Sequence, residues 1–272
     1  MQVVTPEENR HLDALEARSI WIVREAYRRL KPLGMLWSIG KDSTALLWLV
    51  KKAFLGTVPF PVTLLDTGME FPEVYAFRDE LIDRWQLTYV NAECPPESAV
   101  DQTLAPAGRA AARKTEVLKL LLSRERWRGV LLGIRRDEQA TRAKERIFSP
   151  RTLSGAWNAH NQLPEFWDYY NTEVADGEHV RVHPLLRWTE VDVWRYTKRE
   201  NLPYCPLYLS RAGKRYRSLG ESNITFPIDS AAASIDDIIE ELIATNQPER
   251  AGRSMDHESE DAFERLRSAG YM

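Results

Sequence analysis

The sequence predicts an α/β protein: a parallel β-sheet covered by helices on both faces, with a helical C-terminal extension. Two observations carry this. Short apolar runs alternate with amphipathic helical stretches from Leu33 to Gly133, and the polar loops repeatedly follow the apolar runs. The composition agrees, since 272 residues with 43% hydrophobic and 28% charged side chains can bury a core without disulfides.

In chain order, Thr5-Pro6-Glu7-Glu8 opens a helix with Thr5 as cap, proline in the first turn and Glu8 closing a capping box. Leu12, Leu15, Ile22, Val23, Ala26 and Leu30 then recur at helical spacing, which excludes a signal peptide. Gly34 to Ser38 reads as the first strand, and Thr44 to Phe54 as a helix. Val62 to Asp66 is a strand, Pro72 to Trp85 a helix and Leu87 to Asn91 a strand. Thr115 to Glu125 is helical and Gly129 to Gly133 a fourth strand. Residues 152–179 suit an irregular connection, and Val180 to His183 another strand. Helices are expected from Thr189 to about Glu200, from Ser234 to Thr245 and from Ser259 to Ala269. This divides the chain into an α/β domain over residues 1–200 and an extension over residues 201–272. The stretch from Asp229 to Met272 holds 11 acidic and 4 basic residues, the mark of a solvated surface.

Several function classes are excluded at this level. Lys and Arg number 37 against 40 acids, a net charge of -3, so a general nucleic-acid binder is not expected and any anion site must be local. No run is long and apolar enough to cross a membrane. Two cysteines, Cys94 and Cys205, lie far apart without a Cys-x-x-Cys, and His160, His179 and His183 lack metal-ligand spacing. A disulfide scaffold and a zinc site are therefore not expected, and a reducing cytoplasm is. Either thiol reads as buried or incidental rather than catalytic.

Parallel sheets bind ligands at the carboxyl ends of their strands, so the loop Ser38-Ile39-Gly40-Lys41-Asp42-Ser43 is the first place to inspect. Gly40 lets backbone amides approach an anion, and the helix that follows offers unpaired amides and a positive dipole end. Ser38 and Ser43 supply hydroxyls and Lys41 a charge. Asp42 repels phosphate unless a metal or amide intervenes, which suggests Mg²⁺ coordination or an ordering role. A capped turn without ligand is the alternative. Further on, Arg135, Arg136, Arg142, Lys144, Arg146 and Arg151 meet only Asp137, Glu138 and Glu145. Arginine forks suit tetrahedral oxyanions, and Arg142 and Arg146 would share one face of a helix. The alternative is a solvated helix laced with ion pairs. Arg211, Lys214, Arg215 and Arg217 form a second basic group, read equally as a loop closing over phosphates or as a solvated one.

The Ser38 to Ser43 loop resembles the pyrophosphate-binding (PP) loop of the ATP pyrophosphatase superfamily, usually Ser-Gly-Gly-x-Asp-Ser, with Ile39 in place of the first glycine. The variant is similar to the small, adenylyl-transferring subunit of bacterial sulfate adenylyltransferase. Asp66-Thr67-Gly68, Arg135-Arg136-Asp137-Glu138, Arg142 to Arg146, Pro206-Leu207-Tyr208-Leu209 and Glu249-Arg250-x-Gly-Arg253 match it as well. The resemblance implies an adenine nucleotide alpha-hydrolase-like fold and transfer of AMP from ATP to sulfate. ATP with Mg²⁺ would bind Ser38, Ile39, Gly40, Lys41, Asp42, Ser43, Asp66, Thr67 and Gly133. Arg135, Arg136 and Asp42 would act in catalysis, and Arg142, Lys144 and Arg146 would hold the oxyanion. It also implies a separate GTPase large subunit, because this chain has no second phosphate loop and forming a phosphosulfate bond is strongly uphill. Three departures bear on the acceptor: the segment between Tyr208 and Tyr216 is short, Glu221 stands where the family commonly has cysteine, and residues 150–161 stray from the pattern. A paralogue adenylating another acceptor is the second reading. A non-catalytic nucleotide-binding subunit is disfavoured by the intact loop. A phosphoadenylyl-sulfate reductase is disfavoured because it needs a nucleophilic cysteine near its C-terminus, and the last here is Cys205.

Overall fold

The computed structural model describes residues 5–152, 155–158, 160, 162–245, 247 and 249. Its centre is a six-stranded sheet of β1 (Leu33–Leu36), β2 (Val62–Asp66), β3 (Tyr89–Glu93), β4 (Gly129–Leu131), β5 (Phe148–Arg151) and β6 (His179–Val182). The spatial order is β3-β2-β1-β4-β6-β5, with every pairing parallel except the antiparallel edge strand β5. Chain order reverses between β1 and β4. That is the switch point at which open parallel sheets leave a crevice for ligand.

The two faces follow from the two-residue period of the strands. Met35, Val62, Leu64, Leu131, Val180 and Val182 enter one apolar core. Helices α1 (Pro6–Arg29), α2 (Lys41–Ala53), α3 (Pro72–Trp85), α6 (Glu190–Arg199) and α7 (Ile235–Ala244) contribute to that core. Leu36, Leu65, Val130 and Leu132 point the other way, against Val117, Leu118 and Leu121 of α4 (Pro106–Glu125). In α2 alone Leu46, Leu47, Leu49 and Val50 are fully buried. Each contributes about 1.5–3 kcal/mol of burial free energy.

Helix starts are set by side chains where the sequence predicts. Thr5 accepts from Glu8 N at 3.2 Å while the Glu8 carboxylate accepts from Thr5 N at 2.8 Å. Thr189 with Asp192 and Ser234 with Asp237 build the same reciprocal box.

Three elements differ from expectation. α4 begins at Pro106, nine residues before Thr115, because its first turns bury alanines (Ala107, Ala110, Ala112) that give weak apolar periodicity. Phe148–Arg151 is a strand, where the sequence signals only a basic segment. As an edge strand it tolerates Pro150, which has no amide to donate. The helix expected to carry Arg142 and Arg146 is one turn, α5 (Ala140–Ala143), so the two arginines do not share a helical face. A hairpin of β7 (Lys214–Arg215) and β8 (Ile228–Asp229) adds a small second sheet to the extension. The helix expected at residues 259–269 and Arg250 and Arg253 lie outside the described residues.

Candidate functional site

The loop between β1 and α2 sits at the carboxyl edge of the sheet, on the β1/β4 crevice. Ile39 is held at φ 63, in the left-handed region that a β-branched residue rarely enters, and its side chain is fully buried. The core anchors the side chain while the backbone takes the turn a glycine would take freely. Gly40, the N-cap of α2, has φ -75, so it is not needed for an unusual backbone angle. A Cβ there would stand 3.4 Å from Tyr208 Oη and 3.6 Å from Ser38 Oγ, at ordinary contact distance. Ser38 is exposed and its Oγ lies 3.1 Å from Ser43 Oγ, which donates to Gly40 O at 3.1 Å. The turn is further fixed by Trp37 Nε1 donating to Thr44 Oγ1 at 3.1 Å and Lys41 N donating to Tyr208 Oη at 2.9 Å.

The charged residues of the loop are heavily engaged. Lys41 is buried, with its ammonium bound to the Glu249 carboxylate, donating to Arg217 O at 3.1 Å and lying 3.6 Å from both Asp42 and Glu190. Burial opposes the charge on Lys41, but Glu249 and Glu190 outweigh it and raise the affinity for the proton. Arg135 is fully buried and held by Asp42, by Glu249 and by Asp137 at 2.9 Å. Asp137 also accepts from Glu190 N at 2.8 Å, the amide at the start of α6. Burial favours the neutral form of Glu249, yet Lys41 and Arg135 overcome this and hold its carboxyl far below the usual range. Glu190 behaves oppositely: burial raises its pKa, and its Oε1 has no hydrogen-bond partner while Arg217 grips Oε2 at 2.9 Å.

Gly133, two residues beyond β4, lies against this loop. A Cβ there would lie 2.8 Å from Ser43 Cα and 2.9 Å from Ser43 N. Asp66, at the end of β2, accepts from Tyr75 Oη at 2.7 Å, Gly68 N at 2.8 Å and Asn91 Nδ2 at 3.1 Å. Burial would raise its pKa, but these donors leave the carboxyl below its ordinary value. Thr67 is buried and its Oγ1 has no partner. Arg142 is bound to Glu138, and Lys144 is exposed. Arg136 and Arg146 are half-buried beyond the loop.

The structure thus brings Ser38, Ile39, Gly40, Lys41, Asp42, Ser43, Gly133 and Arg135 together, and sets Asp66 with Thr67 on the neighbouring strand end. No sequence signal assigns Tyr208, Glu190 or Glu249 to the site, although Tyr208 and Glu249 lie within the motifs that carry the resemblance. In the second basic group, Arg217 reaches the loop's network, whereas Arg215 is buried on Glu241 at 2.6 Å. Cys205 is buried and Cys94 half-buried; burial pushes the Cys94 thiol up to about 11, against the ordinary requirement of a nucleophile.

A mostly parallel sheet with a hydroxyl- and amide-rich loop at its switch point defines an adenine nucleotide alpha-hydrolase-like protein of the PP-loop type. The phosphoadenosine phosphosulfate reductase domain family matches residues 32–227, and the chain belongs to it, within the branch of sulfate adenylyltransferase subunit 2. The sulfate adenylyltransferase subunit 2 of Rhizobium tropici is 38% identical over 99% of this chain and 96% of its own length. Among solved structures, an FMN adenylyltransferase from Candida glabrata superposes with a TM-score of 0.60 at 17% identity, covering 93% of this chain and 91% of that one. A phosphoadenylyl-sulfate reductase from Candida auris gives a TM-score of 0.51 at 16% identity, covering 81% and 97%. At those identities the two structures speak for the fold.

Proposed function

We propose that this chain transfers the adenylyl group of ATP to sulfate, releasing pyrophosphate. The observation that carries the reading is the Ser38 to Ser43 loop at the switch point of the sheet, in a chain of the sulfate adenylyltransferase subunit 2 family. A sulfate oxygen attacks the α-phosphorus, a new P–O bond forms, and the bond to the bridging oxygen of the β-phosphate breaks with its electron pair leaving on pyrophosphate. Sulfate is fully ionised at pH 7, so no general base is required. The protein must align the reactants in line and stabilise charge growing on the leaving group. The Ser38 and Ser43 hydroxyls and the amides opening α2 serve the pyrophosphate end. Asp66 and Thr67 lie on the nucleoside side.

Lys41 and Arg135 act differently from free phosphate ligands. Both are neutralised by carboxylates, so in this role they fix Asp42 and the loop rather than offering spare charge. Among the described residues no group of three or more His, Cys, Asp or Glu could cage a metal. Mg²⁺ is commonly held by one or two carboxylates and the substrate's phosphates, and Asp42 is the single carboxylate within the Ser38 to Ser43 loop. Asp42 is the residue that would hold it, and the ion would screen charge on the phosphates.

Subunit 2 naming among the relatives supports a partner subunit, and we take it to be a GTPase that drives the uphill step. No described helix is long and apolar enough to cross a membrane, and the free cysteines suit a reducing cytoplasm. The test follows the label: ATP carrying ³²P at the α-position, with sulfate and the partner, should yield labelled adenosine 5′-phosphosulfate. Label appearing only as AMP, with no sulfate adduct, would refute the reading. Titration calorimetry should also show weaker ATP binding by Ser43→Ala and Asp42→Ala.

A further inference from the structure

Three backbone segments meet beside the nucleotide loop, each bringing one arginine. Arg136 follows β4, Arg146 precedes β5 and Arg187 follows β6. Arg136 N donates to Leu186 O at 3.2 Å, next to Arg187. His183 Nδ1 lies 2.7 Å from Arg146 O, which joins the second segment to the third. The carboxylate of Glu165 accepts from Ile147 N at 3.0 Å and Phe148 N at 2.8 Å, bracing the chain immediately after Arg146. Gly133, in backbone contact with Ser43, places this corner alongside the loop.

The charge in this corner is not balanced by protein. Nε of Arg136 and Nε of Arg146 are buried without a hydrogen-bond partner, and among the described residues none of the three arginines forms an ion pair. Arg135, one position earlier, is saturated by three carboxylates. Burial, then Arg187, and after Glu165's opposing charge Arg146 and Arg18, act on Arg136 and hold its pKa below the ordinary value. The adjoining Asp137 and Glu145 are taken up by Arg135 and Arg151, and Asp168 is bound by Arg18. With those pairs set aside, four guanidiniums (Arg18, Arg136, Arg146 and Arg187) share the two carboxylates of Glu165 and Asp168, which leaves a surplus suited to a dianion.

We propose that Arg136, Arg146 and Arg187 form the pocket that receives the acceptor oxyanion, with Glu165 as a positioning residue for Arg146; this rests on the adenylyl-transfer reading. Arg187 is the informative member because it is exposed and forms no ion pair among the described residues, so its replacement leaves the fold intact. The full chain with its partner subunit, assayed by sulfate-dependent exchange of labelled pyrophosphate into ATP, provides the test. Arg187→Gln and Arg146→Gln should raise KM for sulfate about ten- to a hundred-fold, the loss expected for a charged hydrogen bond. KM for ATP should stay within about twofold, and Arg187→Lys should recover part of the sulfate affinity. Unchanged sulfate KM in both glutamine variants overturns the pocket and leaves the adenylyl-transfer reading standing. Absence of any sulfate-dependent exchange by the unaltered protein refutes that reading instead. Equilibrium binding of labelled sulfate then decides the pocket: binding lost in Arg187→Gln supports it, and equal or no binding overturns it.

Discussion

Gly133 and Ser43 touch backbone to backbone: a Cβ on Gly133 would stand 2.8 Å from Ser43 Cα, closer than real Cβ atoms approach. The segment leaving β4 and the first turn of α2 are thereby locked together, and the loop's geometry depends on the absence of a single methyl group. Gly133→Ala should destabilise the protein by about 1–3 kcal/mol, as overpacking does. It should also weaken ATP binding, because α2 must move away from β4. Thermal unfolding and nucleotide titration on the variant check both, and an unaltered ATP affinity would show that the contact does not shape the loop.

Lys41 lies between buried carboxylates of Glu249 and Glu190, and its removal leaves two like charges facing each other. Lys41→Met should cost about 3–5 kcal/mol, the usual penalty for breaking a buried pair. Adding Glu249→Gln should recover part of that loss, since one of the stranded charges is then gone. Urea midpoints of the single and double variants give the comparison.

The adjacent arginines are predicted to behave differently from one another. Arg136→Lys keeps the charge but loses the fork, and turnover should fall on the order of ten- to a thousand-fold if it contacts the transition state. Its melting temperature should hardly change. Arg135→Lys should lower stability as well as turnover, because three carboxylates depend on its guanidinium. Steady-state kinetics beside calorimetry separates the two.

His179 and His183 are buried on the β6 strand and its exit, and both are held neutral. Burial, aided by Arg181 and Arg151, pushes His179 down to about 3. Burial pushes His183 down to about 4 against the opposing pull of Glu145 and the Arg146 carbonyl. The unfolded chain binds these protons near pH 6.5 and the folded one does not, so stability is lost as pH falls from about 6.5 towards 4. Each histidine contributes a slope of about 1.4 kcal/mol per pH unit within that window. Urea midpoints at pH 7 and pH 5 should differ accordingly, and His183→Gln should flatten the dependence. Equal stability at both pH values would mean that these rings titrate freely.

Much of this was legible in the sequence because local signals dominate there. Val62 to Asp66 reads as a strand from its apolar run, and Thr5, Thr189 and Ser234 announce their helices by reciprocal caps. The Ser38 to Ser43 loop was legible for the same reason: its hydroxyls, lysine and carboxylate lie within six consecutive residues. What escaped depends on distant partners. Glu249 reaches Lys41 across 208 positions and Arg135 across 114, and no spacing rule connects them. Arg142 and Arg146 have helical spacing, yet the pairing of Phe148 with Val182 draws the chain into an edge strand before a second helical turn forms. Glu221 is another case, since its use appears only when Lys114 bridges it at 3.5 Å to Glu70 at 3.3 Å.

The most direct measurement is exchange of labelled pyrophosphate into ATP by the full chain, with and without sulfate and with and without its partner subunit. Exchange reports breakage and reformation of the α–β phosphate bond at this chain's own loop. Exchange should depend on sulfate and be abolished in Ser43→Ala. Exchange supported by a different oxyanion or carboxylate, with none supported by sulfate in any condition, would contradict it.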